Sequence, residues 1–180
     1  MRGVALVALS ALAVPVAADT GTDELTVQRR FQLQAVISSG CLLGSGASDA
    51  SSFGSLSFGQ FAALPTDVNR VTTPGGGSIV LQCTPGLDMS IALSAGANTG
   101  NVSAGRFLAK GAETLRYQLY KDAGYSSVWG DGNNGATAMS LSFPAGGSSQ
   151  TYPVYARLFS AAVMPSAGVY TDTVTVTITY

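Results

Sequence analysis

Apolar and polar residues alternate with period two along most of this chain, the spacing of strands that bury one face. Ile79, Leu81 and Cys83 fall on one face, with Val80 and Gln82 on the other. Met89, Ile91 and Leu93 alternate with Ser90, Ala92 and Ser94, and Leu115, Tyr117 and Leu119 with Arg116, Gln118 and Tyr120. Met139, Leu141 and Phe143 repeat the pattern, as do Tyr152, Val154, Ala156 and Leu158. Helical periodicity is almost absent. Turn clusters such as Pro74-Gly75-Gly76-Gly77 and Gly130-Asp131-Gly132-Asn133-Asn134-Gly135 separate the runs. Short strands at this spacing predict one all-β sandwich.

Two segments do not fit a closed sandwich. Val174, Val176, Ile178 and Tyr180 alternate with Thr173, Thr175, Thr177 and Thr179, and the sequence stops there in mid-pattern. The free side of that strand is expected to lack a neighbour. Well before Cys41, Leu25, Val27, Phe31 and Leu33 alternate with Glu24, Thr26, Gln28, Arg30 and Gln32, which reads as a spare strand. Proteins block or cover exposed apolar edges because such edges aggregate. A vacancy at one end and a spare strand at the other therefore point to head-to-tail strand donation between copies. Arg29 shares the apolar face of the spare segment, where a donor strand would prefer a small or apolar group. The register stays open, as does whether Phe31 onward belongs to the donor or to the domain's own first strand.

Composition narrows the chemistry. Of 180 residues, 46% are hydrophobic and 11% charged, which indicates a folded chain rather than a solvated tail. The net charge of -1 comes without a run of either sign, so the field needed to hold nucleic acid is missing. The chain has no histidine, which excludes histidine-based triads and histidine zinc sites. Trp129, with Tyr120 and Tyr125 near it in sequence, has the chemistry to stack on a sugar ring, but a lone Trp beside Gly130-Asp131-Gly132 reads first as a packing residue. Asp131, Asn133 and Asn134 offer oxygen ligands, yet Ser142 stands where a calcium loop needs its bidentate glutamate. Neither Lys110 nor Lys121 follows a Ser-x-x-Lys pattern. No catalytic residue, metal ligand or cofactor is assigned, and the chain is expected not to be an enzyme.

Arg2 precedes an apolar run from Val4 to Val14, followed by Pro15 and the small residues Val16-Ala17-Ala18. Residues 1–18 read as a removed secretory signal. The run is shorter than the roughly 18 to 20 residues that span a bilayer, so no membrane anchor is expected. Export to an oxidising compartment makes a disulfide the natural state of Cys41 and Cys83, the two cysteines of the chain.

Several motifs occur in a shared order: Ser38-Ser39-Gly40-Cys41, Phe53-Gly54-Ser55-Leu56-Ser57-Phe58-Gly59, the strand reaching Cys83, and Tyr117-Gln118-Leu119-Tyr120-Lys121-Asp122. Val128-Trp129-Gly130-Asp131-Gly132 and Ala167-Gly168-Val169-Tyr170-Thr171-Asp172-Thr173-Val174-Thr175-Val176 complete the set. Together they resemble the spore coat protein U domain family, which includes pilins of archaic, Csu-type chaperone-usher pili. The resemblance implies an incomplete immunoglobulin-like β-sandwich. Its missing strand would come first from a periplasmic chaperone and then from the N-terminal segment of a neighbouring subunit. Residues 19–30 then form the donor segment and 31–180 the domain, with Leu25, Val27, Phe31 and Leu33 as the donor strand. Val174, Val176, Ile178 and Tyr180 would form the chaperone and acceptor groove. Burying four apolar donor side chains at about 1.5 to 3 kcal/mol each gives about 6 to 12 kcal/mol before ordering costs. An outer-membrane usher is the further implied partner, and a cell-surface fibre for adhesion and biofilm formation the implied destination. A spore- or cell-coat protein of the same fold and a secreted carbohydrate-binding module are the alternative readings.

Overall fold

The alternating runs become antiparallel strands in the computed structural model, which describes residues 28–180. Ten strands and no helix form among the described residues. They are β1 (Cys41–Leu43), β2 (Val68–Val71), β3 (Ile79–Cys83), β4 (Asp88–Leu93), β5 (Arg106–Lys110), β6 (Glu113–Tyr120), β7 (Met139–Ser142), β8 (Gln150–Tyr152), β9 (Tyr155–Leu158) and β10 (Val176–Thr179). Three sheets result, with strand orders β1-β3-β8, β10-β4-β7 and β2-β9-β6-β5. The inward positions form one core that includes Ile79, Leu81, Met89, Ile91, Leu93, Tyr117, Leu119, Phe143, Ala156 and Leu158. The all-β expectation holds, and the face that alternation turns inward is buried in β4, whereas β3 and β6 also bury Val80, Gln118 and Tyr120 on the face it turns outward.

The chain divides into two compact units, Met1–Val36 and Ile37–Tyr180. In the first, residues 28–36 form no strand, and Phe31 and Leu33 are 82% and 86% exposed. The expected signal at 1–18 and the donor residues Leu25 and Val27 lie outside the described residues.

The run from Tyr152 to Leu158, continuous in its alternation, is split between two sheets. β8 pairs with β3, whereas β9 pairs with β6 and β2. Pro153 stands at the break, where it has no N–H to give a ladder. The next amide, that of Val154, donates instead to Thr72 Oγ1 at 2.8 Å. That hydroxyl is itself paired with Ser78 Oγ at 2.8 Å inside the core. The chain thus changes sheets without leaving a buried amide unmet.

A disulfide joins Cys41 to Cys83, directly opposite each other on β1 and β3. Ladder bonds flank the pair, from Thr84 N–H to the Gly40 carbonyl and from Gly44 N–H to the Val80 carbonyl. The cysteines therefore occupy a non-hydrogen-bonded position, where opposed residues approach most closely, here with 4.0 Å between Cα atoms. The bridge closes a separation of 42 residues. Cys41→Ser is expected to lower stability by about 4 kcal/mol, read as a fall in the urea midpoint of the purified chain. Reduced wild type should fall with it, and an unchanged midpoint in the variant would remove the bridge from the stabilising interactions.

Candidate functional site

Among the described residues, strand β10 has a neighbour on one side only. It pairs with β4 in the register Val176↔Leu93, Thr177↔Ala92, Ile178↔Ile91 and Thr179↔Ser90. Ser94 N–H donates to the Thr175 carbonyl at 2.9 Å, which sets the phase. In an antiparallel ladder both backbone groups of one residue point to the same side and alternate along the strand. Thr175, Thr177 and Thr179 therefore aim theirs at β4, and Val174, Val176 and Ile178 aim theirs away. Among the described residues nothing bonds those outward groups. The side chains of Val174, Val176 and Ile178 pack against the core, while the intervening threonines face solvent.

Beside this edge the sandwich opens into a cleft of about 640 Å³. Its walls include Leu43 at the end of β1, Phe53, Leu56 and Phe58 from the following segment, Leu93, Leu108, Leu119 and Val154 from the core, and 172–176 from the approach to β10. Of the four predicted groove residues, Val174 and Val176 line the cleft. Ile178 is packed in the core, and Tyr180 lies at the far end with its hydroxyl 4.0 Å from where a Gly40 side chain would begin. The opposite wall is partly sealed. Leu43 N–H donates to Asp49 Oδ1 at 2.9 Å, and Ala50 N–H donates to the Leu43 carbonyl at 2.8 Å. The 44–50 loop so covers the outer edge of β1 at Leu43, and the open backbone edge is that of β10.

Among the described residues, one charged group lines the cleft. The Asp172 carboxylate shares the phase of Val174 and Val176 and is fixed by four donors. Oδ1 accepts from Ala97 N–H at 2.7 Å, Thr173 N–H at 2.8 Å and Asn98 Nδ2 at 3.1 Å. Oδ2 accepts from the buried Tyr117 hydroxyl at 2.6 Å. Burial, and then this bond, push the Tyr117 phenol well above its ordinary range, so it stays protonated and donating. Gly96 packs against the same carboxylate with φ 97°, and any side chain there would collide with it. No lysine or arginine among the described residues forms an ion pair with Asp172.

Beneath this wall lies Arg106, fully buried and held by carbonyl oxygens. Its guanidinium donates to Ser94 O at 2.7 Å, Trp129 O at 2.8 Å and Gln118 Oε1 at 2.7 Å. Removal from water lowers its pKa below the ordinary arginine value. Trp129 is also fully buried, and its indole N–H donates to Ile91 O at 2.9 Å. It offers no face to a sugar, which removes the observation behind the carbohydrate reading. Gly130 beside it has no room for a Cβ against the Ala136 carbonyl, which explains the Trp-Gly pair. The Asp131 loop is an Asx-type turn, with Oδ1 accepting from Asn133 and Asn134 N–H groups, both at 2.8 Å. On the surface, Glu113 holds the segment leading to Thr171 through Ser166 N–H at 2.8 Å, the Ser166 hydroxyl and the Tyr170 hydroxyl. Those Ser166 bonds lower its carboxyl pKa to about 2, so the clasp keeps its charge through ordinary acidity.

Sequence reasoning missed Asp172, Tyr117 and the core residues that floor the cleft. The phase of Asp172 with Val174 and Val176 was the available signal.

No curated protein matches the chain. Among solved structures it is similar to a chaperone–tip adhesion subunit pre-assembly complex from the archaic chaperone-usher Csu pili of Acinetobacter baumannii, with a TM-score of 0.50 and 19% identity. That match covers 80% of this chain and 40% of the other, so this chain spans less than half the length of its structural neighbour. At such identity the likeness is one of fold. The profile of the Spore Coat Protein U domain matches residues 27–177, which takes in both walls of the cleft and every strand but the last two residues of β10, and the chain belongs to that family.

Proposed function

We propose that this chain is a structural subunit of a chaperone-usher surface fibre, exported through its N-terminal signal and polymerised by donor-strand exchange. The observation that carries the reading is the edge of β10, unpaired among the described residues, above an apolar cleft. Added strands bind such edges through main-chain hydrogen bonds and take their register from alternate side chains. A periplasmic chaperone would supply the first strand, and residues 19–30 of the next subunit would replace it at an outer-membrane usher. Adhesion and biofilm formation are the roles such a fibre serves, with no chemistry required of the subunit itself.

The test is co-expression with a candidate chaperone, followed by sizing. Full-length chain should be recovered bound to chaperone and, once released, as head-to-tail polymers. Deleting 19–28 should preserve chaperone binding and stop polymer growth. Fusing that segment through a flexible linker after Tyr180 should give a soluble monomer without chaperone, because tethering makes the strand's effective concentration high. Normal fibres from the truncated chain by electron microscopy, or a stable monomer of the unmodified chain, would overturn the reading.

A further inference from the structure

Resting on that reading, we infer that Asp172 sets the register of the incoming strand by pairing with Arg29 of a second copy, the strand running antiparallel to β10. The cleft offers three inward positions along this wall, Asp172, Val174 and Val176. The donor segment offers Leu25, Val27 and Arg29 in the same phase. In one antiparallel register Arg29 meets Asp172, Val27 meets Val174 and Leu25 meets Val176. Sliding the donor by two residues one way puts the guanidinium opposite Val174, against apolar walls, where an unpaired charge is costly. Sliding it the other way leaves Arg29 beyond the cleft and sets Val27 against the carboxylate. Asp172 thus makes Arg29 a matching group where apolar patterning alone made it a misfit.

Both partners are ready for this bond. Asp172 Oδ2 has a single donor, Tyr117, which leaves acceptor capacity on the cleft side. Within its own chain the Arg29 guanidinium donates to the neighbouring Gln28 carbonyl at 2.9 Å. An arginine–carboxylate contact adds direction as well as energy, which is what a register device needs. Strand direction follows from the same geometry. Every strand pair among the described residues is antiparallel. A chain's own segment enters β1 at Gly40, beside Tyr180, and laid along its own β10 it would run parallel. A strand from another copy meets no such constraint and can run antiparallel.

The experiment uses full-length chains mixed in pairs under mild oxidation, with Cys41 and Cys83 already joined. One carries Val27→Cys and the other Val174→Cys. Directly opposed residues lie about 5.5 Å apart at their Cα atoms, within disulfide reach, and a slip of two residues takes them beyond it. This pair should give the dominant cross-linked dimer. Arg29→Ala on the donor chain should reduce its yield about tenfold at low salt, and Asp172→Asn on the acceptor should reduce it equally, with no further loss in combination. Arg30→Ala, on the opposite face of the donor, should change nothing. Dominant cross-linking of Val27→Cys to Val176→Cys, or of Phe31→Cys to Val174→Cys, would overturn the register while leaving strand donation intact. Equal loss from Arg29→Ala and Arg30→Ala would reduce the pairing to general charge attraction. Absence of any cross-link or polymer would overturn the donation reading as well.

Discussion

With Val176 and Ile178 both replaced by Asp, chaperone capture of the chain is expected to be abolished and the protein to be degraded or aggregated. Both residues put their side chains into the core side of β10 and their backbone groups on its open edge. Each Asp removes about 1.5 to 3 kcal/mol of apolar burial and adds the cost of a carboxylate with no partner beside Leu93 or Ile91. The backbone edge would survive on paper, but the pockets that read a partner's side chains would not. Replacing Thr177 and Thr179 by Asp changes the charge of the same strand on its solvent face. That control should be captured at the wild-type level in a pull-down with tagged chaperone. Undiminished capture of the Val176, Ile178 double variant would place the chaperone contact elsewhere on the molecule.

Trp129→Ala should cost about 4 to 8 kcal/mol, more than any other single truncation in this core. Removing a buried Trp side chain typically costs about 3 to 5 kcal/mol through lost contacts and the cavity left behind. The indole N–H also serves the Ile91 carbonyl, and leaving that buried acceptor short adds about 1 to 3 kcal/mol. The backbone of the same residue ties β6 to the loop, donating to Leu119 O at 2.9 Å and accepting from Arg106. A cavity beneath it would loosen three elements together. The urea midpoint of the purified chain should drop with an unchanged slope, and Trp129→Phe should recover most of the loss while still lacking the N–H. A small effect in Trp129→Ala would mean that the 127–135 loop packs independently of its ring.

These residues also show where reading the chain alone succeeds. Although β3 and β6 also bury Val80, Gln118 and Tyr120 on the face their alternation turns outward, β4 is legible because one face is buried and the other is more open, so side-chain polarity reports orientation directly. β5 is not, because it opens on Arg106, and a charged residue reads as outward. Its burial depends on carbonyls supplied by Ser94 and Trp129, which no local pattern reveals. The split at Pro153 is hidden for a related reason, since alternation continues while the pairing partner changes. In the cleft, Val174 and Val176 are legible as the apolar face of a strand without a second neighbour. Asp172 is in phase with them but polar, and only the folded arrangement of Tyr117, Ala97 and Asn98 shows that it faces inward.

The cross-strand position of Cys41 and Cys83 matters for how the domain carries tension. A pulling force that enters near Ile37 and leaves through β10 meets a covalent link at the first strand and passes straight to Cys83 at the end of β3, and on toward β4. The chain between the two cysteines, 42 positions in sequence separation, lies off the load path and stays folded in reserve. At about 3.4 Å per extended residue that is roughly 14 nm of hidden length. The oxidised domain is short and stiff under load, and reduction of its disulfide turns the same domain into a long, yielding one.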